Sequence, residues 1–150
     1  MRRQKSIKPT RRPRIAKRGV SAGATAKAKL ARKRAIVEKL TPMLGEKVRN
    51  TEMKKNIYIT PKGLSETAHH AAKSELSTIA AMDAKRQLRD AKLVTTVKPK
   101  TNRRQRDMRL VKMKKMRGSI AGCTTNVYVG VSDTRQHLMY SITAKRKRKK

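Results

Sequence analysis

Apolar positions are sparse along the first third of the chain and return with a definite period only from Asn56. From Ala24 to Leu40 the residues are mostly good helix formers. Leu30, Val37, Leu40 and Leu44 fall to one side and Lys27, Arg32, Lys33, Arg34 and Lys39 elsewhere, which predicts a basic helix ending near Thr41-Pro42. Ile57, Tyr58 and Ile59 make a short strand pattern within Lys55 to Thr60, and Pro61 or Ser65 can open the next helix. There Leu64, Ala68, Ala71 and Ala72 recur at helical spacing, and Ala71-Ala72-Lys73 carry the helical run past two adjacent histidines. A second helical stretch, Ser74 to about Lys92, offers Leu76, Ile79, Ala80 and Leu88 for burial, with Asp83 as a cap if the stretch is interrupted.

The period then changes from helical to extended. Leu93 to Val97 is rich in β-branched residues, and Pro99 to Asp107 reads as a polar basic loop. Three extended segments follow: Met108 to Met116, Asn126 to Val131 and His137 to Thr143. The first alternates imperfectly and leaves a helix open, while Ser132 to Gln136 is a natural hairpin connection between the other two. Gly118 to Gly122 suits a bend or bulge between strands. The expected fold class is α+β: an N-terminal basic helix, then a strand, two helices and a small antiparallel sheet, with disordered basic termini. The expected organisation is a basic arm over 1–23, a basic helix and linker over 24–50, a folded domain over 51–144 and a basic tail over 145–150. At 150 residues one domain is accommodated and two are not.

Charge changes this picture most. A net charge of +33, from 42 Lys and Arg against 9 Asp and Glu, disfavours compaction unless a polyanion neutralises it. Between Thr51 and Val97, however, 8 basic residues meet 5 acidic ones, a near balance that marks a folding unit. The arm carries Arg2, Arg3, Lys5, Lys8, Arg11, Arg12, Arg14, Lys17 and Arg18 with almost no large apolar side chain. It cannot bury enough surface to offset its ordering entropy and is expected to order on phosphate. The candidate nucleic-acid contacts are Arg2, Arg3, Arg11, Arg12, Arg14, Lys17, Arg18, Arg32, Lys33, Arg34, Arg103, Arg104, Arg106, Lys112, Lys114 and Lys115. The acid-free N-terminus also has the composition of a transit peptide, although a basic nucleic-acid arm accounts for the same residues. A membrane surface is disfavoured, because Phe and Trp are absent, no bulky apolar face opposes the basic residues, and no apolar run approaches the ~20 residues that span a bilayer. With only Tyr58, Tyr128 and Tyr140 as aromatics, contacts to nucleic acid are expected to be mostly ionic and to the backbone. Cys123, the single cysteine, excludes an intramolecular disulfide and fits a reducing, cytoplasmic compartment; no ligand spacing for a metal and no phosphate-binding glycine loop is present, so no cofactor is expected.

The run ITPKGLSETAHH followed by a helix, then MRLVKMKKMRG, NVYVGVS and HLMYSIT, resembles the small phage and mobile-element domains of the barnase, EndoU, colicin and RelE type of nuclease fold, including units of large polyvalent proteins. The resemblance covers roughly Lys55 to Thr143. It implies RNA, in preference to DNA, as substrate and metal-independent cleavage. It carries over to Lys62, Gly63, Leu64, Thr67 and His70 in the first helix and to Tyr140, Ser141 and Thr143 in the last strand. An acidic immunity or partner protein is compatible with it. Independently, attack of a ribose 2′-hydroxyl on the adjacent phosphate needs a base near neutrality, an acid for the leaving oxygen and cations around the developing charge. His70 suits base or acid, Lys62, Arg109 or Lys112 the phosphorane, and Tyr140 or Ser141 the phosphate, with His137 a second titratable group. His69 and His70 project about 100° apart, so the helix is expected to turn only one of them into a cleft. Packing roles fit the same residues: His69 and His70 on a surface, Lys62 in a first turn, Thr67 within a helix and Tyr140 in a core. Two functions therefore stand at this point: an endoribonuclease, or a non-catalytic structural nucleic-acid-binding protein of ribosomal or genome-packaging type.

Overall fold

The computed structural model describes residues 22–99 and 103–145. The basic termini lie outside the described residues, apart from the helix that begins at Ala22 and Lys145, which closes the last strand. The chain forms α1 (Ala22–Leu40), a 3-10 turn (Thr41–Met43), β1 (Lys47–Arg49), β2 (Asn56–Tyr58), α2 (Pro61–Ala71), α3 (Glu75–Met82), α4 (Ala84–Asp90), β3 (Lys92–Val97), α5 (Arg103–Asp107), β4 (Leu110–Ile120), β5 (Cys123–Ser132) and β6 (His137–Lys145).

The class is α+β, as the pattern predicts, but the sheet is larger and mixed: six strands in the order β1-β2-β6-β5-β4-β3. Antiparallel pairing joins β1 to β2 and runs through β6, β5, β4 and β3, whereas β2 lies parallel to β6 through Ile57↔His137 and Tyr58↔Leu138. β1 escapes sequence reading because three residues, Lys47-Val48-Arg49, carry no period, and pairing with β2 alone makes them a strand. The loop expected over Pro99 to Asp107 contains α5 instead. Arg and Gln are good helix formers, and burial of Gln105 and Met108 holds the turn against the sheet.

Helix ends follow local chemistry. Thr60 caps α2, its hydroxyl oxygen accepting from Gly63 N at 3.1 Å, with Pro61 in the first turn. Ser74 caps α3 in the same way by accepting from Ser77 N at 3.1 Å. This second cap ends the run expected to continue through Ala71-Ala72-Lys73: α2 stops at Ala71, and Arg32 of α1 donates to the Ala72 carbonyl at 2.7 Å. The break at Asp83 splits the following stretch into α3 and α4, but the Asp83 carboxylate pairs with Arg86 at 2.6 Å and caps no backbone amide.

One face of the sheet and α1 to α4 enclose the main core, which includes Ile57, Leu64, Ala68, Leu88, Met116, Val127, Met139 and Ile142. Ile36 and Leu40 are the α1 residues that enter it. Leu30 and Val37, placed by the pattern on the inner side, are 47% and 36% exposed, and Ile79 of α3 also faces outward, because docking turns the helices by their best-packed stripe. Met108, Met113, Leu138 and Tyr140 form a smaller cluster, joined by the half-buried Tyr58, Leu110 and Tyr128. β2 covers only the start of β6. Farther along, α2 and α3 close its outer edge: Thr67 donates to the Tyr140 carbonyl at 3.2 Å, and the Ser77 hydroxyl accepts from Ala144 N at 2.9 Å and donates to Ala144 O at 3.2 Å.

Candidate functional site

A cleft of about 920 Å³ opens between α2, β3 and the sheet floor, within the size range of small-ligand sites. Strand register explains what faces it. Lys115↔Tyr128↔Ser141 and Met113↔Gly130↔Leu138 align across β4, β5 and β6, so these residues share one face, and Met113, Lys115, Tyr128 and Ser141 line the cleft. Pairing shifts between Tyr128↔Ser141 and Val129↔Met139, leaving Tyr140 as an extra residue in β6. This bulge interrupts the alternation and lets two consecutive residues, Tyr140 and Ser141, line the same cleft.

Close contact sets the α2 wall. A Cβ on Gly63 would collide with the Met139 carbonyl, so only glycine allows the helix to lie this near β6. With the Thr67 bond one turn later, that approach fixes the rotation of α2 and brings Glu66, His69 and His70 to the cleft. The expectation that only one histidine can face a cleft is not met. Both line it, their rings meeting edge to face at a centroid distance of 5.3 Å and an interplanar angle of 72°. The His70 Nε2 lies 3.3 Å from Glu66 Oε1, one helical turn apart; the Glu66 side chain is 4% exposed and that of His70 36%. A carboxylate oxygen accepts, so Nε2 carries a proton and Nδ1 is the nitrogen left to exchange one. Gln105 Nε2 donates to the Tyr140 hydroxyl at 3.4 Å, joining α5 to the floor.

Of the residues singled out by sequence, His70, Tyr140, Ser141, Thr143 and Lys115 come together here. Others do not. Thr67 is fully buried behind the wall and acts through the β6 backbone. The Lys62 amine donates to the Asp107 carbonyl at 3.2 Å at an exposed position. Arg109 is exposed with a φ of 56° at the α5–β4 junction. Lys112, Lys114 and His137 align with Val129, Val131 and Met139 on the opposite sheet face. Arg106 is exposed on α5 and Lys33 and Arg34 on α1, while the side chains of Arg103 and Arg104, and Arg2, Arg3, Arg11, Arg12, Arg14, Lys17 and Arg18 altogether, lie outside the described residues.

Glu66, Lys98, Gln105 and Tyr128 were not singled out. Glu66 was legible, since it lies four residues before His70 on a helix. Lys98, Gln105 and Tyr128 meet the site only through tertiary structure. Among the described lining residues Glu66 is the one carboxylate, against Lys98 and Lys115. No group of three or more His, Cys, Asp or Glu among the described residues is placed to hold a metal ion, and no described helix is long and apolar enough to cross a membrane. Comparison with protein-family models, with curated proteins and with solved structures finds no match for this chain.

Proposed function

We propose that this protein is a nucleic-acid-directed domain of the barnase, EndoU, colicin and RelE type, and that its cleft cleaves RNA without a metal. The observation that carries the reading is the Glu66–His70 pair, 3.3 Å apart, at a cleft floored by the Tyr140–Ser141 bulge. His70 takes the proton of a ribose 2′-hydroxyl; the 2′ oxygen then bonds to phosphorus, the bond from phosphorus to the 5′ oxygen breaks, and a 2′,3′-cyclic phosphate remains. The leaving 5′ oxygen takes a proton from a cleft donor, for which the Tyr140 hydroxyl and the Lys115 ammonium are the available groups. Lys98 and Lys115 balance charge on the phosphorane, and Glu66 holds the imidazole in one tautomer. Tyr128 offers a face on which a base can stack. The charge of +33 supplies affinity for the backbone independent of sequence.

A second reading, a non-catalytic nucleic-acid-binding protein, draws support from the exposed Lys27, Lys33, Arg34 and Lys39 of α1, none of which lines the cleft. The deciding experiment is incubation of full-length protein with labelled RNA in a chelator, beside His70→Ala and Glu66→Gln. Cleavage by the wild type, lost in His70→Ala and reduced in Glu66→Gln, supports the nuclease. Tight, salt-sensitive binding without cleavage overturns it in favour of the second reading.

A further inference from the structure

The opposite face of the sheet holds a second group of polar side chains that the cleft does not use. Lys112 pairs with Val131, which pairs with His137, so the lysine and the histidine flank one valine on the same face. Lys114, two residues along β4, reaches the same place: its Nζ lies 3.0 Å from His137 Nε2 and 3.6 Å from Met53 Sδ. Lys55 stands just before β2, whose Ile57 pairs with His137. An ammonium only donates, so Nε2 of His137 is an acceptor and its ring proton sits on Nδ1.

We propose that the Lys55, Lys112, Lys114 and His137 cluster is a site for a phosphate group, separate from the cleft. Ion pairs such as Lys85–Glu46, Arg86–Asp83 and Arg89–Asp90 lie elsewhere, and among the described residues no carboxylate pairs with Lys55, Lys112 or Lys114. Burial and then the charges of Lys112 and Lys55 hold the Lys114 amine below its ordinary range. Burial, then Lys114 and Lys55, do the same to His137. Like charges gathered around a half-buried amine, with only a thioether and an imidazole as acceptors, are relieved by an anion. A phosphate group fits better than a halide, because it presents several acceptor oxygens to converging donors. Anion binding then favours the charged ring, frees Lys114 from its bond to Nε2 and turns both donors to the ligand.

Only three histidines occur in the chain, so imidazole resonances in a two-dimensional NMR spectrum of the full-length protein report each region separately. Inorganic phosphate and a DNA oligonucleotide, which lacks the 2′-hydroxyl, are titrated in turn at ionic strength matched with chloride. The expected result is a shift of the His137 signals and a rise of its pKa by about one unit, with apparent affinity falling about tenfold in Lys114→Gln. A response to the oligonucleotide at lower concentration than to phosphate identifies a nucleic-acid backbone as the source; the reverse order identifies a free phosphate or phosphorylated small molecule. The proposal is overturned if His137 stays in place with both probes, responds equally to chloride, or responds unchanged in Lys114→Gln. Movement of His69 and His70 alone assigns binding to the cleft and leaves the nuclease reading standing.

Discussion

His70 opens on one side of the sheet and His137 lies on the other, and the two rings lean on opposite charges. Nε2 of His70 faces a carboxylate at 3.3 Å, whereas Nε2 of His137 faces an ammonium at 3.0 Å. The same nitrogen is therefore a donor in one ring and an acceptor in the other. The residues responsible include neighbours: Lys114 and Lys115 are adjacent on β4, yet the pleat sends one to the histidine cluster and the other to the cleft. An imidazole beside a buried carboxylate can hold and pass a proton with a counter-charge at hand. An imidazole among lysines is kept neutral until an anion arrives. Partner and burial, not residue type, separate a candidate base from a candidate anion sensor.

The largest expected effect tests that separation directly. His70→Ala lowers RNA cleavage by about 10²- to 10⁴-fold, while His137→Ala leaves the rate at saturating RNA in place. Equal losses in a timed cleavage assay would erase the distinction between the two faces. Gly63→Ala comes next, because its new methyl group must displace α2 from the Met139 carbonyl. Urea unfolding should show a cost of about 3 kcal/mol. In protein that remains folded, the cleft should lose activity while the His137 response to phosphate persists. Thr67→Val removes the hydroxyl with which α2 donates to the buried Tyr140 carbonyl, a loss of about 1 kcal/mol by the same measurement. No change in stability would mean that the helix is held by packing alone.

The smallest effect is on pH dependence. The folded-state pKa of His137 lies below the ordinary value of 6.5, so between the two the unfolded chain binds more protons. Its contribution to stability is therefore complete above pH 6.5, declines as pH falls below that value and levels off past the folded pKa. Melting temperature measured across this window should slope upward with pH in the wild type and flatten in His137→Gln. An unchanged slope in the variant would assign the window to another group.

Legibility from sequence divides along physical lines. Thr60-Pro61 and Ser74 are local signals, and helices start where they stand because capping involves only neighbouring backbone. The hairpin at 132–136 is likewise local. β1 has no such signal, and its three residues become a strand only because β2 is alongside. The outward turn of Leu30 and Ile79 depends on which helical stripe finds a partner. In the cleft, His70, Tyr140 and Ser141 could be selected by residue type and resemblance. Lys62 and Arg109, equally plausible cations, were separated from the cleft by where α2 begins and where α5 ends.

By itself, the sequence determined the α+β class, the strong positive charge and the cluster of candidate residues within Asn56 to Ala72, since composition and short-range period suffice for these. Tertiary structure alone decided that β2 runs parallel to β6, that a single extra residue turns Tyr140 and Ser141 to one face, and that His69 joins His70 in the same cleft. The first two depend on strand register and the third on how α2 docks against β6, and both are settled by contacts between residues far apart in the chain.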